Sequence, residues 1–250
     1  GLALKMYANE SAGARFPHRQ TRHVSGALSA EMIFNGPAML PEYVSDVNVI
    51  WCPSWTATAD VHARYDAAKG NGDGVIQPEE ICQEPYHYTG WLIMEDVNIL
   101  GPLAGTAGTD SFGRHAESEF RGAPWGELAQ RNVDTGGAAS DEDFVVSATF
   151  HGTQAGGDRD TLYRLREGIE RFLVTDINNP ASAARASGMV PLMWDHVSAK
   201  PEDFSHIPGG CNVLYLDGHA EFLRYPGDRF PMTTDSARTL GRYGKPFDGF

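Results

Sequence analysis

One run near the C-terminal end constrains the fold more than any other: His206-Ile207-Pro208-Gly209-Gly210-Cys211-Asn212-Val213-Leu214-Tyr215-Leu216-Asp217-Gly218-His219-Ala220-Glu221-Phe222-Leu223-Arg224-Tyr225. Two stretches rich in apolar and aromatic residues flank Asp217-Gly218, and Asp-Gly in that setting signals a two-residue type I′ hairpin turn. With that turn, Leu216 faces His219, Tyr215 faces Ala220 and Val213 faces Phe222. Side chains alternate between the faces of a strand, so Val213, Tyr215, Ala220 and Phe222 share an apolar face directed at a core. Asn212, Leu214, Leu216, His219, Glu221 and Leu223 share the other, mixed face. The hairpin therefore closes a sheet near the C-terminal end.

The remaining elements follow from periodicity. Residues 1–10 read as the end of a helix, with Leu2, Met6, Leu4 and Tyr7 at about one-turn spacing, and Leu2 and Met6 are expected to rest against the strands. Ser11-Ala12-Gly13 stops it and Pro17 follows. Val47-Asn48-Val49-Ile50-Trp51 alternates as a short strand running into Cys52-Pro53-Ser54. The aromatic and branched residues of 86–94 suit a strand with a buried face, and 144–151 reads the same way. In 160–174, Leu162, Leu165, Ile169, Phe172 and Leu173 form one helical stripe. There Asp160 is placed as the cap, and Arg166–Glu170 and Glu167–Arg171 pair on the exposed side. Met189–Trp194 is a further strand, and Pro191 puts it at a sheet edge or bend. Residues 101–113 and 132–143 read as long surface loops around a short helix at Trp125 and Leu128. The last 25 residues read as an irregular tail. The expected fold class is α+β, in a single domain over residues 1–250: an N-terminal helix end packed on an antiparallel sheet, with long loops and a C-terminal hairpin.

A chain of 250 residues can bury a full core, and 41% hydrophobic with 21% charged residues is ordinary for a globular protein. The net charge of −13 argues against nucleic acid and anionic membrane surfaces as partners, because both require basic patches. It suits a secreted or surface protein that holds cations. No run of about 18 apolar residues is present to span a membrane. The abrupt start at Gly1-Leu2-Ala3-Leu4 reads as a fragment lacking an N-terminal piece. Of the 3 cysteines, Cys52 and Cys82 lie beside Pro-rich or acidic loops and are the pair available for a disulfide in an oxidising compartment. Cys211, in the hairpin, reads as a buried thiol.

The sharpest chemistry lies between Asp66 and Glu80. Asn71-Gly72-Asp73-Gly74-Val75-Ile76-Gln77-Pro78-Glu79-Glu80 overlays positions 3 to 12 of a calcium loop of the EF-hand type, with Gly at 6 and an apolar residue at 8. A hard cation needs several oxygens converging from a tight turn, and Gly permits that turn. Asn71, Asp73, the Val75 carbonyl and Glu80 are the candidate ligands. Lys69 occupies position 1, where a carboxylate belongs, and Asp66, three residues earlier, is the candidate replacement. The other reading is a Gly-rich acidic turn that holds no metal.

No nucleophile elbow, His-Glu-x-x-His or P-loop is present, so no catalytic residue is assigned. His196, beside Asp195, and His219, after Gly218, read as hydrogen-bonded structural residues. His206 is expected to bond backbone near the hairpin. An alternative from another class is a secreted hydrolase or glycan-binding module whose Trp51, Trp55, Trp91 and Trp125 line a cleft.

His206, Gly209-Gly210 and Asn212-Val213-Leu214-Tyr215-Leu216-Asp217-Gly218-His219 resemble the C-terminal signature of the H-X9-DG prepilin-like proteins, a planctomycete-type family within the type IV pilin and type II secretion pseudopilin class. Ten residues separate His206 from Asp217 here, one more than in the family, as a single insertion before the first strand would give. Cys52-Pro53-Ser54, the phrase from Leu165 to Pro180, and Val190-Pro191-Leu192-Met193-Trp194-Asp195-His196 resemble the same family, in the right order. The resemblance implies a pilin-like head: a structural, non-enzymatic subunit of an extracellular or periplasmic filament or secretion apparatus. Its partners would be other pilin-like subunits. It would be anchored in the inner membrane, before assembly, by a helix preceding Gly1, and displayed at the cell surface.

Overall fold

The computed structural model describes residues 1–29, 31–55, 57–174 and 180–241. Seven α-helical segments run in chain order as α1 (Leu2–Glu10), α2 (Gly36–Met39), α3 (Val97–Leu100), α4 (Glu117–Arg121), α5 (Pro124–Asp134), α6 (Pro180–Ser187) and α7 (Thr234–Leu240). The strands are β1 (Tyr86–His87), β2 (Phe144–Val145), β3 (Thr161–Leu162), β4 (Pro191–Asp195), β5 (Gly210–Tyr215) and β6 (Ala220–Arg224). β1, β4, β5 and β6 form a four-stranded antiparallel sheet in the order β1-β4-β5-β6, and β2 pairs with β3. The chain is α+β, and its sheet ends in the expected hairpin.

The sheet divides the apolar interior. Cys211, Val213, Tyr215, Leu223 and Trp194 point into one cluster with Trp91, Trp125, Phe230 and Leu240. Met193 and Leu214, on the opposite face, pack against a second cluster that includes Leu4, Ala8, Phe16, Phe34, Tyr65 and Tyr88. Each fully buried large side chain contributes roughly 1.5–3 kcal/mol through removal of apolar surface from water.

The hairpin register is one residue from the two-residue-turn expectation. Asn212 pairs with Phe222, Val213 with Glu221 and Leu214 with Ala220. The loop has three residues: Gly218 N–H donates to the Tyr215 carbonyl at 2.9 Å, Tyr215 N–H donates to the His219 carbonyl at 2.9 Å, and Gly218 takes φ +96°. A turn followed by a left-handed Gly is the usual three-residue solution. A one-residue slip exchanges the faces of a whole strand. Phe222 is therefore 45% exposed while Leu223 is buried, the reverse of the expectation.

α1 forms where the sequence places it, but on a different stripe. Leu4 and Ala8, four residues apart and hence on one face, are buried, whereas Leu2 is 77% and Met6 43% exposed. The expectation that Leu2 and Met6 rest on the sheet is overturned. The helix still abuts the strands: a Cβ at Gly1 would lie 3.3 Å from Leu214 Cδ1. A cleft of about 450 Å3 separates the first turn of α1 from the outer sheet face, lined among others by Leu4, Ile50, Met193, Asn212 and Leu214.

The helix expected over 160–174 is not formed. Residues 161–166 are extended: Leu92 N–H donates to Tyr163 O, Leu165 N–H to Gly90 O and Phe16 N–H to Leu165 O. Gly168 then turns the chain at φ +80°, a conformation an α-helix cannot contain, and Ile169–Phe172 form a single 3₁₀ turn. Leu162, Leu165 and Ile169 are buried as the stripe requires, but they reach the core from extended backbone. Val47–Ile50 is a 3₁₀ turn rather than a strand, because Asp46 Oδ1 accepts the Asn48 N–H at 2.9 Å and tightens it. The strands expected over 86–94 and 144–151 shrink to β1 and β2. Pro191 opens β4 at a register shift beyond the two residues of β1, so no β1 carbonyl stands opposite its missing N–H. The helix at Trp125 and Leu128 is α5. The final segment holds α7, capped by Thr233 accepting the Ser236 N–H at 3.0 Å, where an irregular tail was expected; residues 242–250 lie outside the described residues.

Candidate functional site

Loop 66–80 is an acidic turn organised by its own carboxylates. Asp66 lies within a π-helical turn, Ala63–Ala68, and is buried. Its Oδ2 accepts the Gly74 N–H at 3.0 Å, and its Oδ1 is buried without a hydrogen-bond partner. Asn71 Oδ1 accepts the Asp73 N–H and Asp73 Oδ1 accepts the Val75 N–H, both at 2.9 Å. Glu80, 1% exposed, accepts Asn71 N–H at 2.8 Å and Gln77 N–H at 2.9 Å. Gly72 and Gly74 take φ +73° and +87°, the conformation glycine alone adopts freely. A side chain at Gly70 would strike Glu80 Oε1 at 2.3 Å. Asp66, Asn71, Asp73 and Glu80 thus each bind a backbone N–H of one turn, and Asp66 stands over Gly74, but the carboxylates of Asp66, Asp73 and Glu80 do not close to within 4.8 Å of one another. The Val75 N–H, then the Gln77 side chain, hold the Asp73 carboxyl below its ordinary pKa.

Fit to a hard cation can be tested on these atoms. The buried, unbonded Oδ1 of Asp66 is an acceptor in want of a positive partner. The oxygens of Asn71, Asp73 and Glu80 each accept one or two N–H groups and retain a lone pair, since a carboxylate offers about four acceptor sites. The donor set, all oxygen, is that of Ca2+.

Strand alternation builds two further clusters, one on each side of β4. Asp195 shares the outer face with Met193, and His196 the inner face with Trp194. On the outer face, Asp195 Oδ2 accepts Asn212 N–H and Asn212 Nδ2–H, each at 2.8 Å, and stands 3.0 Å from His206 Nε2. Cys52 Sγ lies 3.8 Å from that same nitrogen. His206 therefore bonds side chains, not the backbone expected for it, and ties the segment before the hairpin to β4. This is not a catalytic relay: in one, the carboxylate takes the imidazole nitrogen opposite the nucleophile, whereas Asp195 and Cys52 address one nitrogen. Burial also pushes the Cys52 thiol up, away from the thiolate a nucleophile needs.

On the inner face, Glu84, His87 and His196 have ligand-type atoms that all lie within 4.8 Å of one another. They are 7%, 1% and 0% exposed. His196 Nε2 is 3.1 Å from Asp203 Oδ2 and His196 Nδ1 is 3.5 Å from Glu84 Oε1. Arg64 Nη2 lies 3.1 Å from the other Glu84 oxygen. The Trp55 ring meets His196 edge-on at 4.7 Å.

The expected disulfide is absent: Cys52 and Cys82 are both free and buried. Cys52 faces His206, while Cys82 belongs to the core beside Tyr65, where burial raises its pKa to about 12. The tryptophan cleft is overturned as well. Trp55, Trp91 and Trp125 are buried, and Trp91 and Trp125 meet edge-on at 6.1 Å inside the core.

Sequence reading singled out the atoms of loop 66–80 and missed the inner cluster. Glu84 and His87 carry no spacing motif with His196 in sequence; only the β1–β4 pairing, Tyr86 to Asp195 and His87 to Trp194, joins them. Comparison of the chain with protein-family models, with curated proteins and with solved structures finds no match.

Proposed function

We propose that this chain is the head of a pilin-like structural subunit, non-enzymatic, that assembles with copies of itself into an extracellular or periplasmic filament or secretion apparatus. The observation that carries the reading is the placement of α1: its first turn lies beside β5, and Leu4 and Ala8 enter the core. The exposure of Leu2 and Met6, expected on the sheet, counts against it. The resemblance of the hairpin segment and of Val190–His196 to prepilin-like sequences supports it, as does the acidic balance. In this reading α1 continues upstream into a membrane-inserting helix; among the described residues no helix is long and apolar enough to cross a membrane.

Loop 66–80 binds Ca2+ through Asp66, Asn71, Asp73, Glu80 and the Val75 carbonyl, and the ion stiffens an exposed turn. A ligand that binds only the folded state adds about 2.7 kcal/mol at a hundredfold excess over Kd. Millimolar Ca2+ raises the thermal midpoint of the wild type and leaves those of Asp73→Ala and Asp66→Ala unchanged. An unmoved wild-type midpoint removes calcium from the account. The assembly reading is tested by fractionation: the full gene product is recovered with membranes and in surface-sheared material. Recovery only as a soluble monomer refutes it.

A further inference from the structure

We propose that Glu84, His87 and His196 hold a divalent transition metal, zinc in the first instance, as an internal clip joining β1 to β4. Nothing in the calcium or filament reading requires this site. Two imidazoles and one carboxylate form a mixed nitrogen and oxygen donor set, which suits Zn2+ and its first-row neighbours rather than Ca2+. The three ligands come from one short stretch, residues 84–87, and from the end of the strand paired with it, so the pairing of β1 with β4 assembles the site.

Five observations favour a metal. The ligand-type atoms lie within 4.8 Å of one another, and a tetrahedral ion at about 2.0–2.2 Å from each would draw them in to about 3.3–3.6 Å. His196 is 0% exposed, and its Nδ1 faces Glu84 Oε1 at 3.5 Å without a hydrogen bond between them. The opposite nitrogen of His196 lies 3.1 Å from Asp203 Oδ2, and a carboxylate on the far ring nitrogen is how proteins orient a metal-bound histidine. Arg64 occupies the second oxygen of Glu84, leaving Oε1 for the ion. Glu84 is also one of three non-glycine residues held at positive φ among the described residues, at +70°. Such a conformation persists where the surroundings impose it. The outer cluster of Cys52, Asp195 and His206 differs in this respect, because its carboxylate oxygen is already engaged by Asn212 and His206.

The site is enclosed by Trp55 and the sheet, and three protein ligands leave a fourth position on the ion. The competing state has no metal, with His196 spanning Glu84 and Asp203 directly.

The test uses chelator-stripped protein in excess Ca2+, which keeps loop 66–80 supplied. Co2+ is added as a spectroscopic probe and then displaced by Zn2+. The expected result is one Co2+ per chain with visible ligand-field bands, and a rise in thermal midpoint with Zn2+. Glu84→Gln and His87→Gln lose more than about 100-fold in affinity, Asp203→Asn loses about 10–100-fold, and His151→Gln, at an exposed histidine, binds as wild type. Circular dichroism establishes that each variant is folded. Wild-type protein that binds neither ion, or a folded His87→Gln that binds both as wild type does, overturns the site. The calcium and filament readings survive either result, since neither uses these residues.

Discussion

At the scale of single residues, the consequential positions are those where a side chain and a backbone compete for one place. Gly90 takes φ +85°, and a Cβ there would lie 2.6 Å from Arg164 Nη1. Arg164 is wholly buried, its guanidinium 5.3 Å from the Trp91 ring centroid and its Nη2 donating to the Phe16 carbonyl at 2.9 Å. Gly90→Ala therefore destabilises by at least about 1–3 kcal/mol, read as a drop in urea midpoint; an unchanged midpoint contradicts the packing described for Arg164. The cysteines give a second residue-level outcome. Titration of denatured protein with a thiol reagent, without reductant, returns all 3 thiols, and native protein reacts slowly because all three are buried. A count of one free thiol restores the disulfide. Composition could not decide between these, since an odd cysteine number leaves pairing open, and the partner of Cys52, His206, lies 154 positions away.

At the scale of elements, the sequence located most segments and misjudged several conformations. α1, α5, β4 and the hairpin occur where periodicity and turn chemistry put them. Periodicity named the buried residues of 160–174 but not their backbone, because Gly168 and the hydrogen bonds to Gly90, Leu92 and Phe16 are tertiary facts that override a local pattern. Register failed by one residue for a similar reason: Asp-Gly serves both two-residue and three-residue loops, and only the strand partners choose between them. The acidic turn was legible because its candidate ligands fall within fifteen consecutive residues. Asp66 was the residue to watch, and it does stand over Gly74. For α1, Leu4→Ala costs about 2–5 kcal/mol, as large-to-small changes at buried sites do, while Leu2→Ala stays within about 0.5 kcal/mol. Equal effects at the two positions would mean that the helix presents another stripe to the core.

At the scale of the molecule, the two apolar clusters are held apart by one sheet, and the chain's polar chemistry sits at the sheet's margin and in a loop. The net charge of −13 couples that arrangement to pH. Asp46 and Asp73 have pKa values lowered by the Asn48 and Val75 N–H groups respectively. A carboxylate with a lowered folded pKa stabilises the protein above its unfolded value, about 3.9, and that contribution is lost as pH falls through the folded value. The urea midpoint accordingly declines as pH descends below about 4, and less steeply in Asp73→Asn. A midpoint that rises on acidification contradicts these hydrogen bonds.

The central claim is that the outward stripe of α1 is a contact between copies. A photo-crosslinking residue at Met6 of the full gene product, expressed in cells that assemble it, tests this directly, with exposed Val145 as the control position. The account predicts a ladder of crosslinked multiples of the chain from Met6. A monomer alone from Met6, under conditions where the protein is folded and at the cell surface, contradicts it.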